Sequence, residues 1–337
     1  MTTAGTNTAV IAGVGAHLPP NTVSNHDLVR RLDTTDDWIR SRTGIATRHV
    51  ISPGTTTADL AVEAGRRALK SAGRDRVDAV VLATTTPDRP CPATAPEVAS
   101  RLGLTGVAAF DVSAVCTGFL YGLATGAGLI AAGTAEHVLV IAAEAFTTLI
   151  DPDDRTTAPI FGDGAGAVVL RAGTPDEPGA VGRTLLGSDG ENADLVAVGT
   201  SGGARRTEGP LPREERYFRM AGSRVFRHAV TRMSVVCAEA LAAADWTAQD
   251  VDLLVAHQAN ARITSAVADF VGIPPERRAT NIERVGNTAG ASVPILLADA
   301  AADGTLRPGH RVLLTAFGGG LTWGATTLVW PDVSPVL

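Results

Sequence analysis

One pattern occurs twice in this chain, and it constrains the fold more than any single motif. A helix-like run at 61–72 leads into the apolar segment 77–83, and a second such run at 234–244 leads into 251–256. Both apolar segments open with a Val-Asp pair, Val77-Asp78 and Val251-Asp252. Further on, His137-Val138-Leu139-Val140 matches Arg311-Val312-Leu313-Leu314, and the offset is 174 residues in both cases, from 77 to 251 and from 137 to 311. A constant offset across separated segments marks an internally duplicated helix-strand unit. Strands alternating with helices predict parallel or mixed sheets covered by helices. Segments 183–190 and 199–219 are charged, glycine-containing and aperiodic, and are expected to be surface loops placed over a site.

At 337 residues, with 45% hydrophobic and 19% charged residues, the chain has ample core material and exceeds the usual size of one domain. It has 29 basic against 35 acidic residues, a net charge of -6, and no long basic run. That argues against a nucleic-acid partner, although a few placed arginines can still hold an anionic ligand. Three cysteines, Cys91, Cys116 and Cys237, cannot all pair and form no CxxC, so a reduced, cytoplasmic setting is expected. No HExxH or tight His/Asp cluster supports a metal. Residues 1–9 lack the charged and apolar regions of a signal peptide. The uncharged stretch 112–135 is long enough to cross a bilayer, but it is dotted with Gly118, Gly122, Gly126 and Gly128. It is expected to be a helix buried on all sides within a globular protein, not a membrane span.

Within that frame, three residues carry chemistry. Cys116 follows the apolar segment 108–112 and opens the buried helix, where the helix dipole and unpaired N–H groups favour a thiolate nucleophile. His257 ends the apolar segment 251–256, at the carboxyl end of a strand, where α/β proteins place functional groups. Asn287 lies in Gly286-Asn287-Thr288-Ala289-Gly290, a turn that falls opposite the Cys116 elbow in the duplicated register. The glycine strings Gly13-Val14-Gly15 and Phe161-Gly162-Asp163-Gly164-Ala165-Gly166 lack the strand-glycine-helix context of a dinucleotide site. Cys91 and Cys237 have no comparable setting.

These residues resemble the β-ketoacyl-acyl-carrier-protein synthase III family of the thiolase superfamily, over nearly the whole chain. The likeness rests on Asp36-Asp37-Trp38-Ile39 with Arg42-Thr43-Gly44-Ile45, Phe110-Asp111-Val112 leading to Cys116, the Phe161 to Ala167 string, His257-Gln258-Ala259-Asn260, Gly286-Asn287-Thr288, and Phe317-Gly318-Gly319-Gly320 with Thr322-Trp323-Gly324. It implies an α/β, five-layered αβαβα fold of two duplicated halves, 1–175 with the cysteine and 176–337 with the histidine and asparagine, and a homodimer. It also implies acyl transfer from CoA to Cys116, followed by attack of a decarboxylating malonyl thioester, the step that starts fatty-acid or polyketide chains. The backbone N–H groups of Cys116 and Gly319 would form the oxyanion hole, and His257 and Asn287 would stabilise the charge of decarboxylation.

By the same resemblance, acyl-CoA is a substrate and no cofactor is tightly bound. Trp38 and Arg155 would hold the adenine, with Arg42 nearby, Thr34 at the tunnel mouth, Phe226 lining it and Asn260 on the pantetheine arm. Cys91, Phe146, Phe218 and Phe317 would shape the acyl pocket, Cys91 from a segment that reaches the second subunit. Arg227 and Arg262 would dock an acidic carrier protein. The chain departs from the family at Cys91, where an aromatic or Thr is usual, at Ala261 in place of Leu, and at Asp269 and Phe270 in place of docking lysines. Two other readings are open: a thiolase-fold acyltransferase that passes the acyl group to an alcohol or amine, and a catalytically silent partner subunit. The intact Cys116, His257 and Asn287 weigh against the second of these, and Asn287 favours condensation over simple transfer.

Overall fold

The computed structural model describes residues 7–199 and 212–337. The chain opens with β1 (Thr8–His17). It continues through the ribbon of β2 (Thr22–Ser24) and β3 (Thr47–His49), which brackets α1 (Asn25–Val29) and α2 (Asp36–Thr43). Next come α3 (Thr57–Ser71), β4 (Ala79–Ala83), α4 (Ala95–Arg101), β5 (Ala108–Val112), α5 (Gly118–Ala131), β6 (His137–Glu144) and β7 (Gly164–Gly173). The second unit contains β8 (Leu185–Ser188), β9 (Val196–Val198), α6 (Arg213–Arg216), β10 (Phe218–Met220), α7 (Gly222–Ala243) and β11 (Leu253–Ala256). It ends with α8 (Ala261–Val271), α9 (Ile282–Val285), α10 (Ser292–Ala302), β12 (Arg311–Gly318) and β13 (Thr322–Val329).

The duplicated sequence pattern becomes duplicated topology. One sheet has the order β1-β7-β6-β4-β5, and the other, read from the equivalent edge, β8-β13-β12-β11. In both, the first strand is antiparallel to the second, the second antiparallel to the third, and the third parallel to the fourth. Register repeats as well, since Ala79 pairs with Val138 and Leu253 with Val312. The recurring Val-Asp pair has a physical role. Val77 and Val251 are buried, while the carboxylates of Asp78 and Asp252 accept from the His137 and Arg311 N–H groups, each at 2.8 Å, and so satisfy the first donor of the neighbouring strand.

Helices α3 and α4 pack on the outer face of the first sheet and α7 on that of the second, with α8 against α7. Between the sheets lie α5 and α10, which completes five layers. Helix α3 begins at a capping box of Thr56 and Asp59 and buries Ala61, Ala64 and Ala68 at helical spacing. The glycine strings serve this packing. A methyl group on Gly15 would come within 2.5 Å of the Ala68 nitrogen of α3, and one on Gly166 within 2.7 Å of the Ile295 nitrogen of α10.

Three expectations are corrected. The uncharged stretch 112–135 is not one helix buried on all sides: residue 112 ends β5, a short turn follows, and α5 spans Gly118–Ala131 with Gly128 and Ala131 exposed. At 14 residues it rises about 21 Å, and no helix among the described residues is long and apolar enough to cross a membrane. Segments 183–190 and 199–219 are not simply loops. Leu185–Ser188 is the edge strand β8 paired to β13, and Phe218–Met220 pairs with Val196–Val198. Residues 200–211 lie outside the described residues. Helix α7 begins at Gly222, well before 234; the charges of Arg224, Arg227 and Arg232 in its first turns mask the periodicity of Val225, Ala229 and Met233 in the sequence.

Candidate active site

The two elbows face each other between the sheets. After β5 the chain turns through Val115, at φ 46°, into a single 3-10 turn (Val115–Thr117) that opens α5. The second unit repeats this 174 residues on, where Ala289, also at φ 46°, begins the turn Ala289–Ala291 that opens α10. A positive φ at a β-branched residue is strained and survives only where the surroundings enforce it. The consequence is a cavity of about 820 Å³ that Cys116, His257 and Asn287 all line.

His257 and Asn287 are each held by backbone contacts. The His257 N–H donates to Thr315 O at 2.9 Å, on the strand next to β11. Asn287 donates its N–H to Ile160 O and accepts from the Gly162 N–H, both at 2.9 Å. Its Oδ1 accepts from the Ala289 N–H at 2.9 Å, which leaves Nδ2 as the free donor. Neither His257 ring nitrogen has a hydrogen-bond partner among the described residues. Burial lowers the ring's pKa to about 3, so His257 is neutral and presents one donor and one acceptor.

Cys116 departs from expectation in one respect. Burial, and secondarily the carboxyl of Glu144, push its thiol above the ordinary range, so the helix start alone does not make a resting thiolate. Gly319 lines the cavity beside it, and Gly318 lies so close that a methyl group there would come within 2.8 Å of the Cys116 nitrogen.

Around the sulfur, Phe161 stacks on Phe146 with centroids 4.6 Å apart, and Phe218 meets both edge-on at 5.3 and 5.0 Å. Phe161, Phe218 and Phe317 line the cavity, whereas Phe146 stands behind them. Cys91 is exposed and outside the cavity of its own chain. At the mouth, Trp38, Arg42, Phe226, Arg227, Asn260 and Arg262 line the opening. The Arg155 guanidinium lies over the Trp38 ring at 5.4 Å and 3.6 Å from Asp33. Arg262 lies over Phe226 at 5.8 Å.

Two of the expected CoA-binding residues have contacts that the sequence did not show. Thr34 does not line the cavity; its hydroxyl is buried and without a partner among the described residues. The Asn260 side chain caps α8, accepting from the Arg262 N–H at 2.9 Å and donating to Arg42 O at 2.8 Å, so it braces the mouth from within. On α8, Asp269 pairs with Arg278 at 2.6 Å and Phe270 is 73% exposed. Among the described residues, no group of three or more His, Cys, Asp or Glu side chains could hold a metal. Sequence reasoning missed Glu144, Met220 and Val196, and missed Phe161 as a cavity wall. Glu144 was signalled only by being the one charge at the end of an apolar strand.

A cysteine at an elbow, facing a neutral histidine and an oriented amide between two copies of one α/β unit, defines an enzyme of the thiolase fold. The family description "3-Oxoacyl-[acyl-carrier-protein (ACP)] synthase III" matches residues 110–190, and its C-terminal counterpart matches 241–330. The chain is 60% identical over 335 residues to β-ketoacyl-[acyl-carrier-protein] synthase III 3 of Streptomyces coelicolor, covering 98% of this chain and 100% of the relative. It is 50% identical over 329 residues to the synthase III of Pseudomonas aeruginosa, covering 98% of each. The crystal structure of 3-oxoacyl-(acyl carrier protein) synthase III from P. aeruginosa superposes with a TM-score of 0.91 at 49% identity, covering 97% of this chain and 100% of that one. The priming β-ketosynthase of a polyketide biosynthetic pathway gives 0.92 at 35% identity, with 98% and 99% coverage. The chain belongs to the β-ketoacyl-acyl-carrier-protein synthase III family.

Proposed function

We propose that this chain performs the acyl-CoA-primed, decarboxylating condensation that starts a fatty-acid or polyketide chain. The Cys116 thiol attacks the thioester carbonyl of an acyl-CoA, the carbon–sulfur bond to CoA breaks, and the proton released by the thiol ends on the departing CoA sulfur. The backbone N–H groups of Cys116 and Gly319 face the oxyanion. A malonyl thioester then loses CO2, and the electron pair freed by that break forms the carbon–carbon bond to the acyl group as the bond to Cys116 opens. Charge built on the malonyl thioester oxygen is met by a donor N–H of neutral His257 and by Asn287 Nδ2. The observation that carries this reading is the pair of unpartnered His257 ring nitrogens beside Asn287 in the cavity that contains Cys116. Transfer to an alcohol or amine would leave Asn287 without a task.

Trp38 and Arg155 serve as an adenine clamp that must part to admit the base, since at 5.4 Å they already touch. Arg42 attracts the CoA phosphates, Phe226 walls the tunnel, Thr34 stands at its mouth, and Asn260, at the cavity wall, binds the pantetheine arm with the amide hydrogen and lone pair that its capping bonds leave over. Acyl-CoA is the substrate, with no resident cofactor. Arg227 and Arg262 are cations available to an acidic carrier protein, while Asp269 is paired with Arg278. The division at 175/176 and a cytoplasmic setting with free Cys91, Cys116 and Cys237 belong to the same reading. So does a homodimer, for which the edge strand β5 and the nearby Cys91 segment supply the surface. The test is intact-protein mass spectrometry after incubation with a panel of acyl-CoAs and then malonyl-carrier protein. The adduct should appear and then discharge as a product lengthened by two carbons. Discharge onto an alcohol or amine without lengthening would overturn the proposal.

The same assay addresses acyl length. Within one chain the pocket wall is aromatic, through Phe161, Phe218 and Phe317. Its remaining depth depends on what the second subunit presents, and Cys91 is small. Each buried methylene contributes about 0.8 kcal/mol, so filling that space in Cys91→Phe should lower kcat/KM for butyryl-CoA relative to acetyl-CoA by roughly tenfold. An unchanged ranking of acyl-CoAs would remove Cys91 from the pocket.

A further inference from the structure

Counted 174 residues on, the first elbow maps onto the second position by position. Val115 corresponds to Ala289, Cys116 to Gly290, and Glu144 at the end of β6 to Gly318 at the end of β12. The contacts cross over in a reciprocal way. A methyl group on Gly318 would come within 2.8 Å of the Cys116 nitrogen, and one on Gly290 within 2.9 Å of both Glu144 Oε1 and the Val115 carbonyl oxygen. One elbow therefore carries a side chain beneath a bare glycine, and the other is a bare glycine beneath a side chain. The side chain that fills the second place is a carboxyl with no exposed surface, and the catalytic scheme above gives it no task.

Glu144 is held by one N–H group and by hydroxyls, which can accept from the carboxyl when it is protonated and donate to it when it is ionised. Its Oε2 accepts from the Thr85 N–H at 3.0 Å and the Thr86 hydroxyl at 3.3 Å, its Oε1 accepts from the Thr85 hydroxyl at 3.1 Å, and Gly290 packs against Oε1. No ion-pair partner is present among the described residues, so its charge has no cation to offset it. Glu144 Oε1 and the carbonyl oxygen of Val115, the residue before Cys116, each lie 2.9 Å from the point a methyl group on Gly290 would occupy, so the carboxyl stands beside the Cys116 elbow.

We propose that Glu144 is a positioning residue that ties the segment after β4, through Thr85 and Thr86, to the elbow carrying Asn287, beside the elbow carrying Cys116, and that its ionisation governs how readily the Cys116 sulfur loses its proton. Two buried acids that share a low-dielectric site oppose each other's charge, so they titrate as a pair. Burial raises the Glu144 carboxyl to about 8, so it is largely protonated at neutral pH and supplies a negative charge only above that. Cys116 is then pushed further from the thiolate. The other titratable groups around the pair are already committed. His257 is neutral across the cavity. Asp88 accepts from the Thr57 N–H, one hydroxyl removed from Thr86. Asp163, beside the Gly164 that pairs with Glu144, accepts from Thr147 and the Ile51 N–H.

The inference rests on Cys116 as the nucleophile, so the test reads its sulfur directly, whatever the fate of condensation. The rate of iodoacetamide alkylation of Cys116 is followed by peptide mass spectrometry from pH 6 to 10, which separates it from the exposed Cys91. In the native chain the logarithm of the rate should bend downward near pH 8. In Glu144→Gln, which keeps size and acceptor oxygen, it should rise without a bend and exceed the native rate at pH 10 by roughly tenfold. Superimposable profiles would overturn the proposal. Thr86→Val provides a second reading should the Gln variant not fold. Loss of one donor to the carboxylate should move the bend to higher pH, and a bend that stays in place would equally refute the role.

Discussion

In Cys116→Ala, no acyl group should remain on the protein after incubation with any acyl-CoA, and condensation should fall by a factor on the order of a million, the scale of losing an enzyme's nucleophile. The reason is positional. Of the three cysteines, Cys91 is on the surface and Cys237 is buried in α7, away from the cavity, with its thiol pushed up to about 12 by burial. Only Cys116 faces the space where a thioester can enter. The same variant should still release CO2 from a malonyl thioester, because the groups that meet that charge are untouched. Intact-mass measurement and CO2 release check the two halves of this expectation. An acyl adduct that persists in the alanine variant would remove Cys116 from its role.

His257→Ala and Asn287→Ala should show the reverse pattern. Self-acylation of Cys116 survives, and condensation falls by roughly a hundredfold or more for each donor removed. Burial alone lowers the His257 pKa to about 3, so the ring gains no charge anywhere between pH 5 and 9. The condensation rate of the native chain should therefore show no acid limb from this residue in that window. A limb near pH 6 to 7 that vanishes in His257→Ala would mean that the ring titrates and acts as an acid or base. Loss of acylation with condensation retained would favour a simple acyltransferase.

Much of this site could be read from the chain because it is built from local features used twice. The Val-Asp pairs marked strand starts because a buried valine followed by an outward carboxylate caps the neighbouring strand in each sheet. Cys116 and Asn287 could be matched because both stand at elbows repeated at one offset. What the sequence did not show depends on contacts across the fold. Asn260 has the residue type and position of a ligand-binding amide, yet both ends of its amide are used within the chain. Thr34 lies near Trp38 in sequence but outside the cavity that Trp38 lines.

Glu144 shows the division most clearly. By itself the sequence determined that this is a doubled α/β chain with a cysteine, a histidine and an asparagine at elbow and strand-end positions, because strand starts, helix starts and the 174-residue offset are local properties of neighbouring residues. Only the tertiary structure decided that the thiol is buried enough to resist ionisation, that the histidine is neutral, and that a carboxyl from the end of β6 fills the place opposite the bare Gly290. Those are consequences of desolvation and of side chains meeting across two packed elbows, and both depend on atoms brought together from positions as far apart as 116, 144 and 290.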